Sequence, residues 1–575
     1  MGTVKWARWF GLLLLLALGV LVGCRSASPP RIEIEVDEGI EALQTAVISS
    51  DPLSRFDATI ERIRTALRIP GLSAAIVYEE QLVWARGFGY GNLEDEIEAT
   101  ENTPYGLASV TKPFAAILLM KLVEEGQLDL DTPAAEFGVE LESEGVVTIR
   151  HLLSHTSEGI PGNRYQYSGN RYSMLTPVIE RLYEDSFRNV LRQQILGPLG
   201  MSDTALNYGA CGINYYLSGL SPDDPERAFE HVYRDQAIPY RYDPNYAVYP
   251  VGNPTYANAA AGLISTVVDL ARFAVAIEEG ALVSSETKTL MFTPTRLASG
   301  EDGPYGLGWF TERSHGVEMI WHYGYGAYST LFLMIPSKNL TFIALANTQN
   351  LSRPFGLGLA EVSVLSSPLA LEFFKEFVVR PRIGELLPEI DWSADVDTVV
   401  SQLRAIQDPE LLPLYEAGLW SYRKLYGGIG ASQTASHLLQ AHLRAFPNGS
   451  RPSHDLYQVS RPGPRPPEQE VVSLSTAETE RWMGRWVLRA EDQGTGLPLA
   501  FALVAEDGHF IAVPENDTCQ AFHPLSSTRL VSSSNPNMTL VGLGDETQFA
   551  RVSVELDGSV VGTYERVASM EQEGS

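Results

Sequence analysis

The chain carries the stretch Ser109-Val110-Thr111-Lys112 directly before the apolar run 114–123. Residues three apart on a helix share a face, so the Lys112 amine is expected to lie against the Ser109 hydroxyl and to help remove its proton. A serine hydroxyl is a poor nucleophile by itself, and such an amine partner would allow it to form an acyl-enzyme. The stretch therefore predicts a helix that begins near residue 109 and presents a nucleophile with its base.

The same serine and lysine spacing occurs at two further places, so the pattern alone does not choose among them. They are Ser285 with Lys288 and Ser421 with Lys424. The context favours position 109, because a turn at 104–106 precedes it and the proline at 113 fits the first turn of a helix. A helix start also favours negative charge that develops on a serine or on an attacked carbonyl. The other two lysines are interpreted as solvated charges.

Hydrophobic periodicity around this stretch predicts an α/β fold in which helices flank an antiparallel sheet. The predicted strands cover 73–78, 81–87, 319–321, 328–335 and 340–346, and the predicted helices cover 56–67, 114–123, 172–182 and 270–278. Glu79 and Glu80 are expected to form a hairpin turn between the first two strands. Residues 207–257 show no sustained period and predict a long irregular excursion.

Five further motifs accompany the serine and lysine. In chain order they are Ile69-Pro70-Gly71, the segment 148–157 with His151 and His155, Tyr167-Ser168-Gly169, the segment 305–309, and His322-Tyr323-Gly324. With these motifs the chain resembles the serine β-lactamase-like family, which includes class C β-lactamases, D-alanyl-D-alanine carboxypeptidases and their esterase relatives. The resemblance covers about residues 54–350 and implies the same fold and an acyl-serine mechanism.

The resemblance implies a role for each of the main site residues. Ser109 would be the acylated nucleophile, Lys112 its amine partner and Tyr167 the proton shuttle. A tyrosine with a pKa of about 10 needs a nearby cation to lower that pKa, and Lys112 is the expected one. We assign the acylation base to Lys112 and Tyr167 jointly, as a coupled pair. The backbone N–H groups of Ser109 and Tyr325 would form the oxyanion hole.

Two positions depart from the family pattern and bear on the substrate. Gly169 stands where the family usually has asparagine, and Asn170 comes one residue late. His322 stands where β-lactamases usually have lysine, and it is expected to supply a weaker, pH-dependent positive field. Tyr323 is expected to contact the substrate, and Gly324 to let the substrate lie against its strand. Together these residues favour ester or other acyl substrates over penicillins.

Beyond about residue 351 the composition changes. A leucine stripe predicts helices over 394–446, a proline-rich run at 461–467 predicts a linker, and Asp507-Gly508 and Asp557-Gly558 predict hairpins of a small β-sandwich or barrel. The helical part resembles a single helical-repeat unit, to which we assign no binding role. The predicted division is 1–24 signal peptide, 25–52 tether, 53–375 hydrolase domain, 376–458 helical segment, 459–475 linker and 476–575 all-β domain.

The N-terminus has the features of an export signal. Lys5 and Arg8 precede an apolar stretch at 12–18, and Leu21-Val22-Gly23-Cys24 ends it. The stretch is shorter than the ~20 residues that span a membrane as a helix. The last four residues resemble the lipobox of bacterial lipoproteins, which implies cleavage before Cys24 and a lipid on that residue. We therefore expect an exported protein, anchored through Cys24 to the membrane at the bacterial cell envelope.

Composition limits the partners. The chain has 575 residues, which is too long for a single hydrophobic core and predicts more than one domain. Its formal net charge is −29. Such acidity argues against nucleic acid and anionic lipid surfaces as partners. Cys211 and Cys519 are either one disulfide or two thiols, and their places in different predicted domains favour thiols.

The leading hypothesis is a serine hydrolase that needs no cofactor and acts on a small-molecule, peptide or ester acyl substrate. One alternative is a non-catalytic module that binds cell-wall peptides or a protein partner, although the joint presence of Ser109, Lys112 and Tyr167 speaks against it. The other is a true β-lactamase or D-alanyl-D-alanine carboxypeptidase. His151 and His155 are four apart on a helix, but the residue after His151 is not glutamate and no third ligand is evident, so we predict structural roles and no metal.

Overall fold

The structure is a computed structural model. It describes residues 51–208, 213–242, 248–255, 257–357, 363–383, 387–428, 432–446, 484–488, 500–506, 509–514, 520–526, 529–532, 538–544, 549–556 and 559–566. The predicted signal peptide, linker and Asp-Gly turns and all three cysteines (Cys24, Cys211 and Cys519) lie outside the described residues, as does the predicted tether up to residue 50. In the described part of the chain, no helix has both the length and the apolar character needed to cross a membrane.

The centre of the α/β part is an antiparallel sheet. Its strands and the short ones around it are β1 (Gly71–Tyr78), β2 (Gln81–Asn92), β3 (Ile97–Glu98), β4 (Tyr105–Gly106), β5 (Ala205–Leu206), β6 (Tyr240–Tyr242), β7 (Val248–Pro250), β8 (Leu263–Ser265), β9 (Phe310–Ser314), β10 (Val317–Tyr325), β11 (Ser329–Ile335) and β12 (Leu340–Ala346). Seven strands form the main sheet in the order β3-β2-β1-β12-β11-β10-β9. The predicted fold class is confirmed.

The first hairpin shows how local sequence builds this sheet. Glu79 and Glu80 have φ angles of +49° and +63°, the conformation of a tight two-residue turn that matches strand twist. β1 and β2 pair on either side of the turn, as predicted. β2 continues to Asn92, beyond the predicted end at residue 87, because β3 pairs with its far end.

Helices cover both faces of the sheet. In the α/β part they are α1 (Pro52–Ala66), α2 (Thr111–Glu124), α3 (Ile149–Leu153), α4 (Gly169–Ser173), α5 (Leu175–Tyr183), α6 (Phe187–Leu191), α7 (Ile213–Gly219), α8 (Glu230–Arg234), α9 (Val267–Glu278) and α10 (Ser285–Phe292). On one face, α2 and α9 pack on Ile320 and Phe332, and their Phe114 and Phe273 rings stack at 3.8 Å. The side chains that alternate with Ile320 and Phe332 along β10 and β11 point to the opposite face of the sheet, where α1 packs.

Three predicted elements differ from the structure. The predicted helix with His151 and His155 ends at Leu153, so His155 lies beyond it. The predicted helix 172–182 is divided at Met174, where α4 ends and α5 begins. The predicted irregular excursion 207–257 contains the helices α7 and α8 and the β6–β7 hairpin. These elements are too short to show a sequence period. Packing against neighbouring elements stabilises them. Val232 and Tyr233 of α8, for example, are buried against Ile264 of β8.

The helical segment shares a core with the sheet. Its helices are α11 (Pro368–Phe374), α12 (Arg380–Ile383), α13 (Val396–Arg404), α14 (Leu412–Gly428) and α15 (Ser432–Ala445). A single buried cluster joins α1, one face of the sheet and all of these helices except α12. The Glu376 carboxylate also accepts hydrogen bonds from Arg55 of α1 and Arg380 of α12. A boundary after residue 375 therefore falls within a continuous helical run and within one core.

The C-terminal part is a closed antiparallel barrel. Its strands are β13 (Gly484–Leu488), β14 (Ala500–Glu506), β15 (His509–Pro514), β16 (Gln520–Ser526), β17 (Arg529–Ser532), β18 (Met538–Gly544), β19 (Phe549–Leu556) and β20 (Ser559–Arg566). Of the predicted sandwich or barrel, the barrel is found. Val552 and Val554 lie two apart on β19 and are both buried, as expected for the inner face of a strand.

Candidate active site

Ser109 lies in a tight turn at the start of α2. A 3-10 turn, Ala108–Val110, leads directly into the α-helix, and Pro113 occupies the third helical position, as predicted. Ala108 has a φ of +47°, which is uncommon for a residue with a side chain and is held by the surrounding structure. The turn therefore presents the Ser109 hydroxyl in a defined direction at the N-terminal end of the helix.

The end of β10 packs on this turn, and Gly324 makes the contact possible. A Cβ at Gly324 would lie 2.3 Å from Leu107 O and 2.1 Å from Thr330 Oγ1. The Thr330 hydroxyl also donates to Leu107 O at 3.0 Å. The turn that carries Ser109 therefore fills the space beside Gly324, which explains the glycine by packing, and its expected role towards the substrate stays a prediction. Its absent side chain seats the strand against the turn that carries Ser109.

Lys112 and Ser109 meet as the spacing predicts. The Lys112 amine donates to Ser109 Oγ at 2.9 Å and to Ala260 O at 3.0 Å, and only 1% of the lysine is exposed. Among the described residues no carboxylate forms an ion pair with Lys112, so burial lowers its pKa to about 7. A large fraction of this amine is neutral near neutral pH and can accept the serine proton.

The other two serine and lysine pairs do not form such a contact among the described residues. Lys288 donates to the carbonyl groups of Ile277 and Glu278 at 3.1 and 2.9 Å. Lys424 donates to Phe355 O at 3.0 Å, and the buried Ser421 hydroxyl has no hydrogen-bond partner in the described part of the chain. Both lysines therefore bind main-chain carbonyl groups, which corrects their interpretation as solvated charges.

Tyr167 lies beside the lysine, but its ionisation differs from the expectation. The ring centroid is 4.9 Å from Lys112 Nζ. Its hydroxyl is buried and lies within reach of the hydroxyls of Ser109 and Tyr323. Burial and the Tyr323 phenol raise the pKa of Tyr167 well above 10, although the nearby Ser109 hydroxyl opposes the shift. The expected lowering of this pKa by Lys112 is therefore wrong, and Tyr167 is a neutral phenol that can donate a proton.

His322 is buried and held in one tautomer. Its Nδ1–H donates to Tyr323 O at 2.8 Å, since a carbonyl oxygen only accepts. Its Nε2 then accepts from the Tyr305 hydroxyl at 2.9 Å. Burial and the Lys112 charge lower the pKa of His322 well below 6.5, although the hydrogen bond to Tyr323 O opposes the shift. His322 is thus neutral, and the expected pH-dependent positive field is absent because the imidazole is completely desolvated.

Tyr325 is the last residue of β10 and lies close to the turn Ala108–Val110 that carries Ser109. Just beyond it, a Cβ at Gly326 would lie 4.0 Å from the Ala108 Cβ, so the strand end and the turn are neighbours. The Tyr325 side chain is 48% exposed, whereas Tyr323 is buried among aromatic rings that include Tyr167. The backbones expected to supply the oxyanion donors therefore lie on contacting elements, and their role stays a prediction.

The third position of the tyrosine motif is open. A Cβ at Gly169 would meet no atom within 4 Å, so no steric requirement demands glycine there. Asn170 is exposed, and its side-chain amide makes no hydrogen bond to the described residues. Asn170 therefore does not replace the amide that the family usually has at position 169. The result is unfilled space next to the Tyr167 loop.

Several residues that support the site had no assigned role in the sequence analysis. Gly308 has a φ of +88°, and a Cβ there would lie 2.4 Å from the Ala116 Cβ of α2. The Tyr172 hydroxyl donates to Lys112 O at 3.1 Å. The motif 305–309 includes Tyr305 and Gly308, but the sequence did not predict which residues they contact. The Ala260 carbonyl, which holds Lys112, leaves no sequence signal because any residue has a carbonyl.

The two histidines of the segment 148–157 bind backbone groups. His151 Nδ1 accepts from Thr148 N at 3.1 Å and caps α3, and His155 Nδ1 accepts from Ser168 N at 3.2 Å. Within the described ranges, no three histidine, cysteine, aspartate or glutamate side chains are grouped in a way that could hold a metal ion.

Comparisons with known proteins find a matching family model and several similar proteins. A family model described as Beta-lactamase matches residues 56–361, more than half of the chain. Penicillin-binding protein 4* of Bacillus subtilis (strain 168) is 27% identical over 312 residues, which cover 47% of this chain and 66% of that protein. Unguisins hydrolase ungD' of Aspergillus campestris (strain IBT 28561) is 26% identical over 362 residues, which cover 54% and 65%. The match thus spans just under two thirds of the length of either relative. The octameric penicillin-binding protein homologue from Pyrococcus abyssi aligns over 89% of this chain and 99% of its own, with 19% identity and a TM-score of 0.48.

Proposed function

This chain belongs to the beta-lactamase family, and from that premise we propose that it is a serine hydrolase that forms an acyl intermediate on Ser109. Proteins of this family are serine hydrolases. The observation that carries the proposal is the buried Lys112 amine, 2.9 Å from the Ser109 hydroxyl and with a pKa of about 7. An amine kept neutral beside a hydroxyl is a base prepared for nucleophilic catalysis.

The proposed reaction assigns one proton to each group in turn. Lys112 takes the Ser109 proton as Oγ attacks the substrate carbonyl, and the N–H groups of Ser109 and Tyr325 stabilise the oxyanion. The leaving group departs with a proton from Tyr167, which the Lys112 ammonium replaces. Water then attacks the acyl group with Lys112 as base, and the released Ser109 oxygen recovers its proton from Lys112. The acid leaves, and the enzyme returns to its starting state.

Ester or other acyl substrates fit the proposed site better than penicillins. The open space at Gly169 provides no amide side chain to hydrogen-bond a substrate amide. The buried, neutral His322 provides no positive charge for the carboxylate of a penicillin. One relative is named as an unguisins hydrolase, which supports hydrolysis as the reaction type.

A labelling experiment tests the proposed function. The mature protein is incubated with a fluorophosphonate, a short p-nitrophenyl ester and a penicillin, and its intact mass and ester turnover are measured. We expect a fluorophosphonate adduct and ester turnover, with little penicillin adduct, and loss of both signals in Ser109→Ala. Ser285→Ala is the matched control, because Ser285 has the same spacing to a lysine and should leave labelling unchanged. Absence of adduct from every reagent would support the non-catalytic binding module, and rapid penicillin turnover would support the β-lactamase alternative.

We propose further that the protein is exported and anchored through a lipid on Cys24. The supporting observation is the apolar stretch that ends in Leu21-Val22-Gly23-Cys24. Expression of the full chain in a bacterial host, followed by membrane fractionation and mass analysis of the N-terminal peptide, tests this. We expect a diacylated Cys24 in the membrane fraction, and Cys24→Ser should keep the signal uncleaved. An unmodified Cys24 would contradict the proposal.

A further inference from the structure

His155 lies in a loop immediately after α3, behind the tyrosine of the proposed site. It is 1% exposed and has a φ of +55°, so its backbone is held in the left-handed region. Its ring lies against the Tyr167 ring, with centroids 4.2 Å apart and an interplanar angle of 33°. The two rings are thus in direct contact at a tilted angle.

His155 also binds the chain on both sides of Tyr167. The His155 carbonyl oxygen accepts from Gln166 N at 2.8 Å, and Nδ1 of its ring accepts from Ser168 N at 3.2 Å. One residue therefore holds the backbone before and after the tyrosine and the ring itself. Because Nδ1 accepts, the proton of the neutral imidazole is on Nε2.

The surroundings keep this imidazole neutral and unreactive. Tyr172 and Tyr305 lie with ring centroids 5.1 and 4.9 Å from it. Burial lowers the pKa of His155 well below 6.5, and the nearby Lys112 amine adds to the shift. Its Nε2 is buried without a hydrogen-bond partner among the described residues, so it has no visible proton-transfer route. These features separate it from a general base.

We infer that His155 is the positioning residue of Tyr167, which it fixes by three contacts so that the phenol reaches the leaving group of the acyl-serine reaction. The inference rests on the proposed function and deepens it by naming what holds the proton donor in place. A displacement of about 1 Å in a reacting group can lower a rate by about 100-fold. The rotation of a free tyrosine about its first side-chain torsion would move the hydroxyl further than that.

The test uses two substitutions that both tolerate a positive φ. Asparagine keeps an acceptor near the place of Nδ1, whereas glycine removes the acceptor and the ring. The substrate is an alkyl ester, because its alkoxide leaving group must be protonated, whereas p-nitrophenolate departs without a proton. We expect His155→Gly to lower kcat for this ester by about 100-fold, with an unchanged KM, and His155→Asn to recover most of this loss. The pH midpoint of kcat/KM should stay in place in both variants, since Lys112 still sets it. His151→Asn, on the helix α3 that precedes His155, is the control and should leave kcat unchanged.

A double-mutant cycle with Tyr167→Phe separates positioning from a general structural role. If His155 acts through the phenol, His155→Asn and His155→Gly should have no further effect on kcat in the Tyr167→Phe background. Additive losses, an unaltered kcat in His155→Gly, or a shifted pH midpoint would each overturn the inference. If His155→Gly does not fold, the cycle with His155→Asn decides. Failure of the proposed function itself would be visible separately, as a wild-type protein that no fluorophosphonate labels.

Discussion

Lys112 should make the folded protein less stable, and its removal should stabilise the protein most at low pH. In the unfolded chain this amine has a pKa of 10.5, and in the folded protein burial lowers it to about 7. Between these values the unfolded state binds more protons, so stability rises with pH. Below about pH 7 the full penalty is present, and it disappears as the pH approaches 10.5. The buried amine that serves as the proposed base therefore destabilises the fold when it is protonated.

The magnitude follows from the two pKa values. A difference of about 3.5 pKa units corresponds to about 5 kcal/mol when the folded protein is fully protonated. At about pH 9 roughly 2 kcal/mol of the penalty remains, so stability should change by about 3 kcal/mol between about pH 6 and about pH 9 through this one group. Lys112→Met removes that pH-dependent part. It also removes the hydrogen bonds to Ser109 and Ala260, and their loss lowers the stability by about 1 to 3 kcal/mol at every pH.

Denaturant unfolding of the wild type and of Lys112→Met at both pH values measures this effect. We expect the free energy of unfolding of Lys112→Met minus that of the wild type to be about 3 kcal/mol larger, that is more stabilising, at about pH 6 than at about pH 9. Lys121→Met is the control, because Lys121 lies on the same helix α2 and is less deeply buried. A difference between variant and wild type that is equal at the two pH values would refute the reasoning, since it would mean that Lys112 keeps an ordinary pKa in the folded state.

Three further outcomes are expected. The kcat/KM for a p-nitrophenyl ester should rise with pH to a plateau with a midpoint of about 7, because the neutral Lys112 amine is the active form. Lys112→Arg should lose this activity at every pH. A midpoint that moves in His322→Gln would contradict the neutral state of His322. Gly169→Asn should increase the rate of penicillin acylation with a stability change within about 0.5 kcal/mol, because a Cβ there meets no atom within 4 Å; an unchanged rate would show that the missing amide does not limit β-lactam recognition. Gly324→Ala should destabilise the protein by about 1 to 3 kcal/mol or more and abolish labelling, since the added Cβ would lie 2.3 Å from Leu107 O. Thermal unfolding and labelling measure these effects. Gly252→Ala is the control and should have little effect in both assays, because its Cβ meets nothing within 4 Å.

Much of the fold could be predicted because its signals are local. The Glu79 and Glu80 turn, the strands around it and the helix after Ser109 depend on neighbouring residues, and each was found. Short elements such as α8 could not be predicted, because burial against β8 stabilises them more than any pattern of their own. The continuity of the helical segment with the core of the sheet likewise depends on contacts between distant residues, such as Arg55 with Glu376.

The amino-acid sequence alone was sufficient to identify the family and to predict that Ser109 and Lys112 meet, because residues three apart share a helix face, the turn before Ser109 favours this pair, and the motifs occur in a fixed order. Only the tertiary structure decided which of these groups carry charge. Burial without a carboxylate partner among the described residues lowers the pKa of Lys112, raises that of Tyr167 and keeps His322 neutral. Desolvation depends on every atom that surrounds a group, and those atoms come from β10, α2 and the loops at 155–168 and 260. No linear pattern records that arrangement.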